Sequence, residues 1–256
     1  MSYRAREEYF VKYAIVTGST KGIGKAIAEK LLEEGWFVFV NYAHDREGAE
    51  QFIAEHRSDG CAEQEAKFEV IQAELSSYEG VQAFIERVLK RTARINCLVL
   101  NAGMTDRSPF DEILPETWER MIDTNINAPF YLVHGLRNHL SDGDGRIIFI
   151  GSLCGIYPHS VSPAYGITKA AVHQMARELV KFFAPRRITV NAIVPGFVNT
   201  QWQKTKSQER RARIEDKTAL HRFGEPEEIA SLCWEIINNQ FINGANIQID
   251  GGYCYQ

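Results

Sequence analysis

The chain of 256 residues has little cysteine and no pattern in it. Its five cysteines, at 61, 97, 154, 233 and 254, are scattered and odd in number, with neither a CxxC pair nor a Cys/His metal-ligand spacing. That excludes a disulfide framework and a thiolate metal centre, implies no metal, and points to a reducing cytoplasm. No apolar run approaches the ~20 residues of a membrane span, and the opening MSYRAREEYF is charged where a signal peptide would be apolar. Excess positive charge is also missing. With 29 Lys and Arg against 33 Asp and Glu, the net charge of −4 argues against a general binder of nucleic acid or anionic membrane, since both need a basic surface. The local run Arg210, Arg211, Arg213 lies among Glu209, Glu215 and Asp216, and reads as a solvated helix face. There is no linker, repeat or low-complexity segment. Residues 1–256 therefore read as one domain with an N-terminal extension at 1–10, because α/β folds reach ~250 residues as one unit.

What is present is an alternation of apolar strands and amphipathic helices. The run 13–17, YAIVT, leads into GSTKGIG, and 25–34 continues as a helix with Ala26, Ile27, Leu31 and Leu32 as its buried stripe. Strand, glycine loop and helix N-terminus together make a phosphate cradle, because bare glycines let the backbone approach an anion and unpaired amides point at it. A second strand, 36–41, ends without the carboxylate that would bind a ribose 2′-hydroxyl. Lys21, with His44 or Arg46, is instead placed to meet a 2′-phosphate, which favours NADP over NAD, and Asp45 reads as the cap of a helix through Glu55. A third strand ends near Gln72, just before Glu74 and Leu75. Residues 77–92 are helical in period, and 97–103, CLVLNAG, is a buried strand running into a small-residue turn.

Such alternation predicts an α/β fold of the Rossmann type, a doubly wound parallel sheet with helices on both faces. Ligands of these sheets bind at the carboxyl ends of the strands, where Gly18, Asn41, Glu74, Asn101 and Ser152 all fall. Residues 115–139 read as one long helix, capped by Asp111 or by the turn before Pro115. Asn125, in its middle, either makes a specific hydrogen bond or breaks the helix. A strand at 188–194 ends in Pro195-Gly196, and 197–223 turns polar and less regular, as a mobile lid would. A last helix, GEPEEIASLCWEII, and a last strand, ANIQIDGG, complete the chain.

The chemistry concentrates between Gly151 and Lys169. Tyr165 and Lys169, four apart at the start of a helix that Pro163 opens, share one face. A fixed ammonium at about 5 Å, at an effective dielectric of about 20, favours a phenolate by roughly 3 kcal/mol, or about two pKa units. A phenol so tuned is a general acid for a carbonyl oxygen. Ser152, after the apolar run 147–150, is placed to hold the same oxygen. Alone, a YxxxK pair is commonly a solvated helix face; the glycine loop and strand ends around it favour the chemical reading.

TGSTKGIG at 17–24, NAG at 101–103, Asn125, Ser152, YGITK at 165–169, PG at 195–196 and IDGG at 249–252 stand in the order and spacing of a known family. Over about residues 12–252 the chain resembles a classical short-chain dehydrogenase/reductase, most of all the branch that reduces 3-oxoacyl thioesters on acyl carrier protein or coenzyme A. The resemblance implies NADPH-dependent reduction of a ketone. Tyr165 is then the acid/base, Lys169 lowers its pKa and binds the nicotinamide ribose, Ser152 orients the carbonyl, and Asn125 holds a relay water. It also implies NADP(H) contacts from Gly18, Ser19, Thr20, Lys21, Gly22, Ile23 and Gly24, and from Asn41, Tyr42, Ala43, Glu74 and Leu75. Asn101, Ala102, Gly103, Tyr165, Lys169, Pro195, Gly196, Val198 and Thr200 complete that set, and a homotetramer is expected.

Two positions depart from the family pattern. Glu74 stands where an aspartate usually touches the adenine. Of two arginines that dock the carrier protein, Arg186 matches one, while the other falls at Gly143 inside the acidic Asp142–Asp144 loop, which puts the carrier in doubt. Two other functions fit the same residues: a sugar, steroid or other secondary-alcohol dehydrogenase, and a nucleotide-sensing regulator without turnover. Regulators of that kind typically lose the tyrosine or the lysine, and this chain keeps all four catalytic positions.

Overall fold

The structure is a computed structural model and describes residues 11–57, 67–158 and 163–255. The expected extension at 1–10 and Cys61 lie outside these residues. Seven strands, β1 (Tyr13–Val16), β2 (Phe37–Tyr42), β3 (Phe68–Gln72), β4 (Cys97–Leu100), β5 (Arg146–Ile150), β6 (Thr189–Pro195) and β7 (Asn246–Ile249), form one parallel sheet in the order β3-β2-β1-β4-β5-β6-β7. Every connection is therefore a crossover, and the strands are apolar on both sides because helices cover both faces.

The two-residue period sorts the strands into two cores. Ile15, Phe39, Leu98, Ile147 and Phe149 face α3 (Tyr78–Leu89), α5 (Ala128–Leu136) and α6 (Pro163–Phe183) through Val81, Phe84, Leu132, Val172 and Phe183. Ala14, Val16, Val38, Val40, Val99 and Ile148 face α1 (Gly22–Glu33), α2 (Arg46–His56) and α9 (Pro226–Asn238) through Ile27, Leu31, Phe52, Ile229 and Ile236. Burial of each of these side chains larger than alanine stabilises the fold by about 1.5–3 kcal/mol. The strand order reverses between β1 and β4, and the crevice beyond their carboxyl ends is the place such a sheet leaves for a ligand.

Three expectations need correction. The helix expected over 115–139 is two helices, α4 (Pro115–Ile122) and α5, joined by a π-turn at Asp123–Asn127. Both alternatives for Asn125 hold at once: it interrupts the helix and is hydrogen-bonded inside, at 1% exposure. Asp111 caps nothing. It sits in a separate 3-10 turn, Phe110–Glu112, and Leu114 precedes Pro115 without a side-chain cap. The polar 197–223 segment is also more regular than its sequence, holding α7 (Gln201–Lys204) and α8 (Gln208–Lys217), the latter started by the Ser207 hydroxyl accepting from the Arg210 amide at 3.3 Å. No helix among the described residues is long and apolar enough to cross a membrane.

Candidate active site

A cleft of about 1190 Å³ runs along the carboxyl edge of the sheet. One end is made by the loop between β1 and α1. Gly18 and Gly22 take φ of +59° and +56°, which favour glycine, and a Cβ on Gly24 would stand 2.4 Å from the Asn101 amide nitrogen and 2.5 Å from the Gly18 carbonyl. The loop is held from behind by short polar side chains. Ser19 donates to the Val16 carbonyl at 2.6 Å and accepts from the Asn41 amide at 3.1 Å. Asn41 accepts from the Gly18 amide at 3.2 Å and donates to the Ala73 carbonyl at 3.1 Å, and Asn101 donates to the Thr17 and Gly18 carbonyls at 2.9 Å each. These side chains act on the loop, fixing the amides that face the cleft.

The first turn of α1 has no side-chain cap and no acidic residue, so its free amides and positive dipole end face the cleft uncompensated. This is where a dinucleotide's pyrophosphate fits. Gly18, Thr20, Lys21, Gly22, Ile23, Asn41, Tyr42, Ala43, Glu74, Leu75, Asn101, Ala102, Gly103, Pro195, Gly196, Val198 and Thr200 all line the cleft, while Ser19 and Gly24 stand behind its wall.

The groups expected around a 2′-phosphate are partly engaged with carboxylates. Lys21 pairs with Asp45 at 3.4 Å, and the Thr20 hydroxyl donates to the same carboxylate at 2.7 Å. Against the desolvation that opposes it, these contacts hold the Asp45 carboxyl below its ordinary range. Asp45 occupies the cap position of α2 but is turned toward the glycine loop, which corrects its reading as a simple cap. His44 faces Glu74 at 2.7 Å, and Arg46 pairs with Glu50 at 2.9 Å. Lys21 and His44 line the cleft and Arg46 does not.

At the other end, Ser152 follows β5 and caps a short turn, accepting from the Cys154 amide at 3.2 Å. Its hydroxyl is hydrogen-bonded to Tyr165. The Lys169 ammonium, one turn further along α6, lies 5.7 Å from the centre of the tyrosine ring and donates to the Ile150 carbonyl at 2.7 Å. The distance agrees with the spacing argument, but its expected consequence does not follow. Burial, with a contribution from Cys154, pushes the Tyr165 phenol up despite the Ser152 hydrogen bond, and burial pushes Lys169 down to about 8. Desolvation penalises the charged form of both groups. The tyrosine is thus a protonated phenol at neutral pH.

Asn125 is brought to this end from behind the wall. Its amide group donates to the Met104 carbonyl at 2.9 Å and to Thr168 Oγ1 at 3.0 Å, and accepts from the Met104 amide at 2.8 Å. Both amide hydrogens are used, so a relay water finds no free donor on that side chain. Thr168 in turn donates to the Tyr165 carbonyl at 2.8 Å.

Sequence reasoning missed His173. It accepts from the Ser152 amide at 3.2 Å and lies against Gly151, where a Cβ would stand 2.1 Å from its Nε2. Burial, then Lys169 and Arg177, push it down to about 4, so it is the neutral acceptor this contact needs. Its spacing, four after Lys169 and eight after Tyr165, was the available signal.

The lid end adds charge to the cleft. Arg210 and Arg213 are exposed, as the sequence predicted, and the solvated face they share lines the mouth of the cleft with Arg107 and Lys206. Trp202 stands edge-on to Tyr165, ring centres 6.4 Å apart, and its carbonyl accepts from Arg107 at 3.0 Å. On the outer surface, Arg186 is tied to Asp142 at 2.6 Å and to the Arg137 and Leu140 carbonyls, so the acidic loop already occupies it.

A parallel sheet with this strand order, a glycine-rich first turn and a Ser-Tyr-Lys group at one cleft defines a dinucleotide-dependent oxidoreductase architecture. The sequence pattern of the short chain dehydrogenase family matches residues 12–211, and the chain belongs to that family. It is 33% identical over 248 residues to glucose 1-dehydrogenase 2 of Bacillus subtilis, covering 94% of each chain. It is 32% identical to the 3-oxoacyl-acyl-carrier-protein reductase FabG of Staphylococcus aureus, covering 94% of this chain and 97% of that one. Among solved structures, a short chain dehydrogenase from Burkholderia cenocepacia in complex with NADP superposes with a TM-score of 0.85 at 26% identity, covering 95% of this chain and 98% of that one.

Proposed function

We propose that the protein reduces a ketone to a secondary alcohol with NADPH, the ketone being a 3-oxoacyl thioester. The observation that carries this reading is the convergence of the Ser152 hydroxyl, the Tyr165 phenol and the Lys169 ammonium on one end of a cleft whose other end is a glycine-loop anion cradle. The reduced nicotinamide supplies the hydride when bound. Ser152 and Tyr165 hold the carbonyl oxygen, and the phenol gives its proton to that oxygen as negative charge develops on it. A phenol kept protonated by burial suits this direction of reaction, because the alkoxide is the stronger base. Lys169 stabilises the phenolate left behind and reaches the nicotinamide ribose. Asn125 and His173 are positioning residues: one ties the Met104 loop to α6, the other fixes the backbone of Ser152.

Lys21 reads the 2′-phosphate by exchanging Asp45 for it, and the NADP bound to the Burkholderia relative supports that preference. Residues 197–223 form the substrate lid of a single domain. A homotetramer in the cytoplasm fits the apolar residues exposed on α4, α5 and α6, among them Trp118, Phe130, Ile167 and Phe182. With Arg186 bound to Asp142, strict dependence on a carrier protein is not expected. The Bacillus relative keeps a sugar dehydrogenase as the second reading. A screen of 3-oxoacyl thioesters, sugars and steroid alcohols, followed by NADPH absorbance, decides between them. Turnover of 3-oxoacyl thioesters at least tenfold above every sugar is expected, and turnover of a sugar alone would replace the first reading with the second.

A further inference from the structure

The lid end of the cleft is cationic beyond anything that ketone reduction itself requires. Arg107, Lys206, Arg210 and Arg213 all contribute to its wall, and Asp216 is the one carboxylate that α8 adds there. Among the described residues, none of Lys206, Arg210 and Arg213 is in an ion pair. Arg211, the remaining member of the run, is occupied: its guanidinium lies 4.3 Å from the centre of the Phe223 ring and hydrogen-bonds Asn199 and the Gln203 carbonyl, fixing α8 against the lid. Lys206 is partly buried, and burial, followed by the repulsion of Arg107, Arg210 and Arg211, lowers its pKa to about 8. Like charges crowded on a concave wall in excess of its one α8 carboxylate destabilise the empty protein and suit a bound anion.

The cluster is also close to the chemistry. Arg107 is bonded to Trp202, whose ring meets Tyr165, and the Cys154 thiol beside Ser152 is within electrostatic reach of both Lys169 and Lys206. We propose that this wall binds an anionic group, phosphate or carboxylate, carried by the substrate on the part remote from its carbonyl. The inference rests on the ketone-reductase reading and narrows its substrate class to acids and phosphate-bearing thioesters, while the glycine loop keeps the cofactor's own phosphates at the opposite end.

The test compares kcat/KM, at saturating NADPH, within two pairs: 3-oxobutanoyl coenzyme A against the uncharged 3-oxobutanoyl N-acetylcysteamine thioester, and 4-oxopentanoate against its methyl ester. Phosphate and carboxylate are thereby tried separately. The charged member of at least one pair should lead by about tenfold or more at low salt. That lead should shrink as salt rises and collapse in a Lys206→Met/Arg210→Met variant whose KM for NADPH is unchanged. Equal values in both pairs overturn the inference, as does a lead that survives the double substitution or a matching loss of NADPH affinity, which would assign the cluster to the cofactor. If both thioesters turn over equally and 4-oxopentanoate has no lead over its ester, the thioester reading stands and this inference falls. If only 4-oxopentanoate is reduced, the reverse holds. Should no ketone turn over, inorganic pyrophosphate titrated calorimetrically into the NADP-saturated protein decides: binding that the double variant loses supports the anion wall, and absence of binding refutes it.

Discussion

The two ends of the cleft are built in different ways. At the glycine-loop end the ligand-facing surface is largely backbone, and the side chains of Ser19, Asn41 and Asn101 are turned inward to hold that backbone still. At the lid end the surface is side chain: Trp202, Arg210 and Arg213 project from two short helices that few core residues secure, and Lys206 from the turn between them, Ile214 being the buried residue of α8. The first end is fixed by conformational demands that only certain residues meet, and the second leaves almost any residue free to stand there. The comparison teaches that one architecture keeps its cofactor chemistry while changing its substrate, because different kinds of constraint act on the two ends.

Ser152→Ala sharpens the contrast most. The substitution removes one of two donors to the developing oxyanion and the hydrogen bond that lowers the phenol's pKa, so kcat should fall about 10²–10³-fold with NADPH affinity retained. Equal losses in kcat and in cofactor binding would mean that the two ends are not separable.

His173 gives the next largest effect, in stability. Its folded pKa of about 4 lies below the ordinary 6.5, so its contribution is intact above about 6.5 and is lost as pH falls toward 4, where the unfolded chain takes up a proton that the folded protein refuses. That amounts to about 3 kcal/mol. His173→Gln should flatten the dependence of denaturant stability on pH across that window, and an unchanged slope would show that His173 is not the group responsible.

Gly24→Ala, with its methyl driven into Asn101 and the Gly18 carbonyl, should cost about 1–3 kcal/mol of stability and weaken NADPH binding. Smallest of the four, Lys21→Ala should weaken NADPH by about tenfold and NADH scarcely at all, since only a dianionic phosphate can draw Lys21 from Asp45. Equal losses for both cofactors would remove Lys21 from 2′-phosphate recognition.

What was legible in the sequence follows the same division. The glycine loop, Asn101, Ser152, Tyr165 and Lys169 could be read because spacing and conformational freedom are properties of the chain itself. The choice at Asn125 between an internal hydrogen bond and a break was legible, but the π-turn that does both was not, because the helical period continues on both sides of it and only the tertiary partners Met104 and Thr168 make the interruption favourable. The tyrosine's pKa was misread for a similar reason: the ammonium's distance follows from an i, i+4 spacing, whereas desolvation depends on everything packed around the ring. Arg210 and Arg213 read as solvated among Glu209, Glu215 and Asp216, and they are exposed, but their place at the mouth of the cleft was not legible. Which of these charges faces the cleft is decided by how α8 docks, through Ile214 and the Arg211–Phe223 contact.

The central claim is that Tyr165 delivers the proton while the distant end of the cleft holds the cofactor independently. Its most direct test is Tyr165→Phe, measured for both properties in the same preparation: turnover of the best ketone from the screen, and NADPH affinity by fluorescence titration. The account predicts a loss of turnover of at least about 10³-fold with NADPH affinity within about twofold of the parent, because the ring still packs but has no proton to give. Turnover within about tenfold of the parent would contradict it.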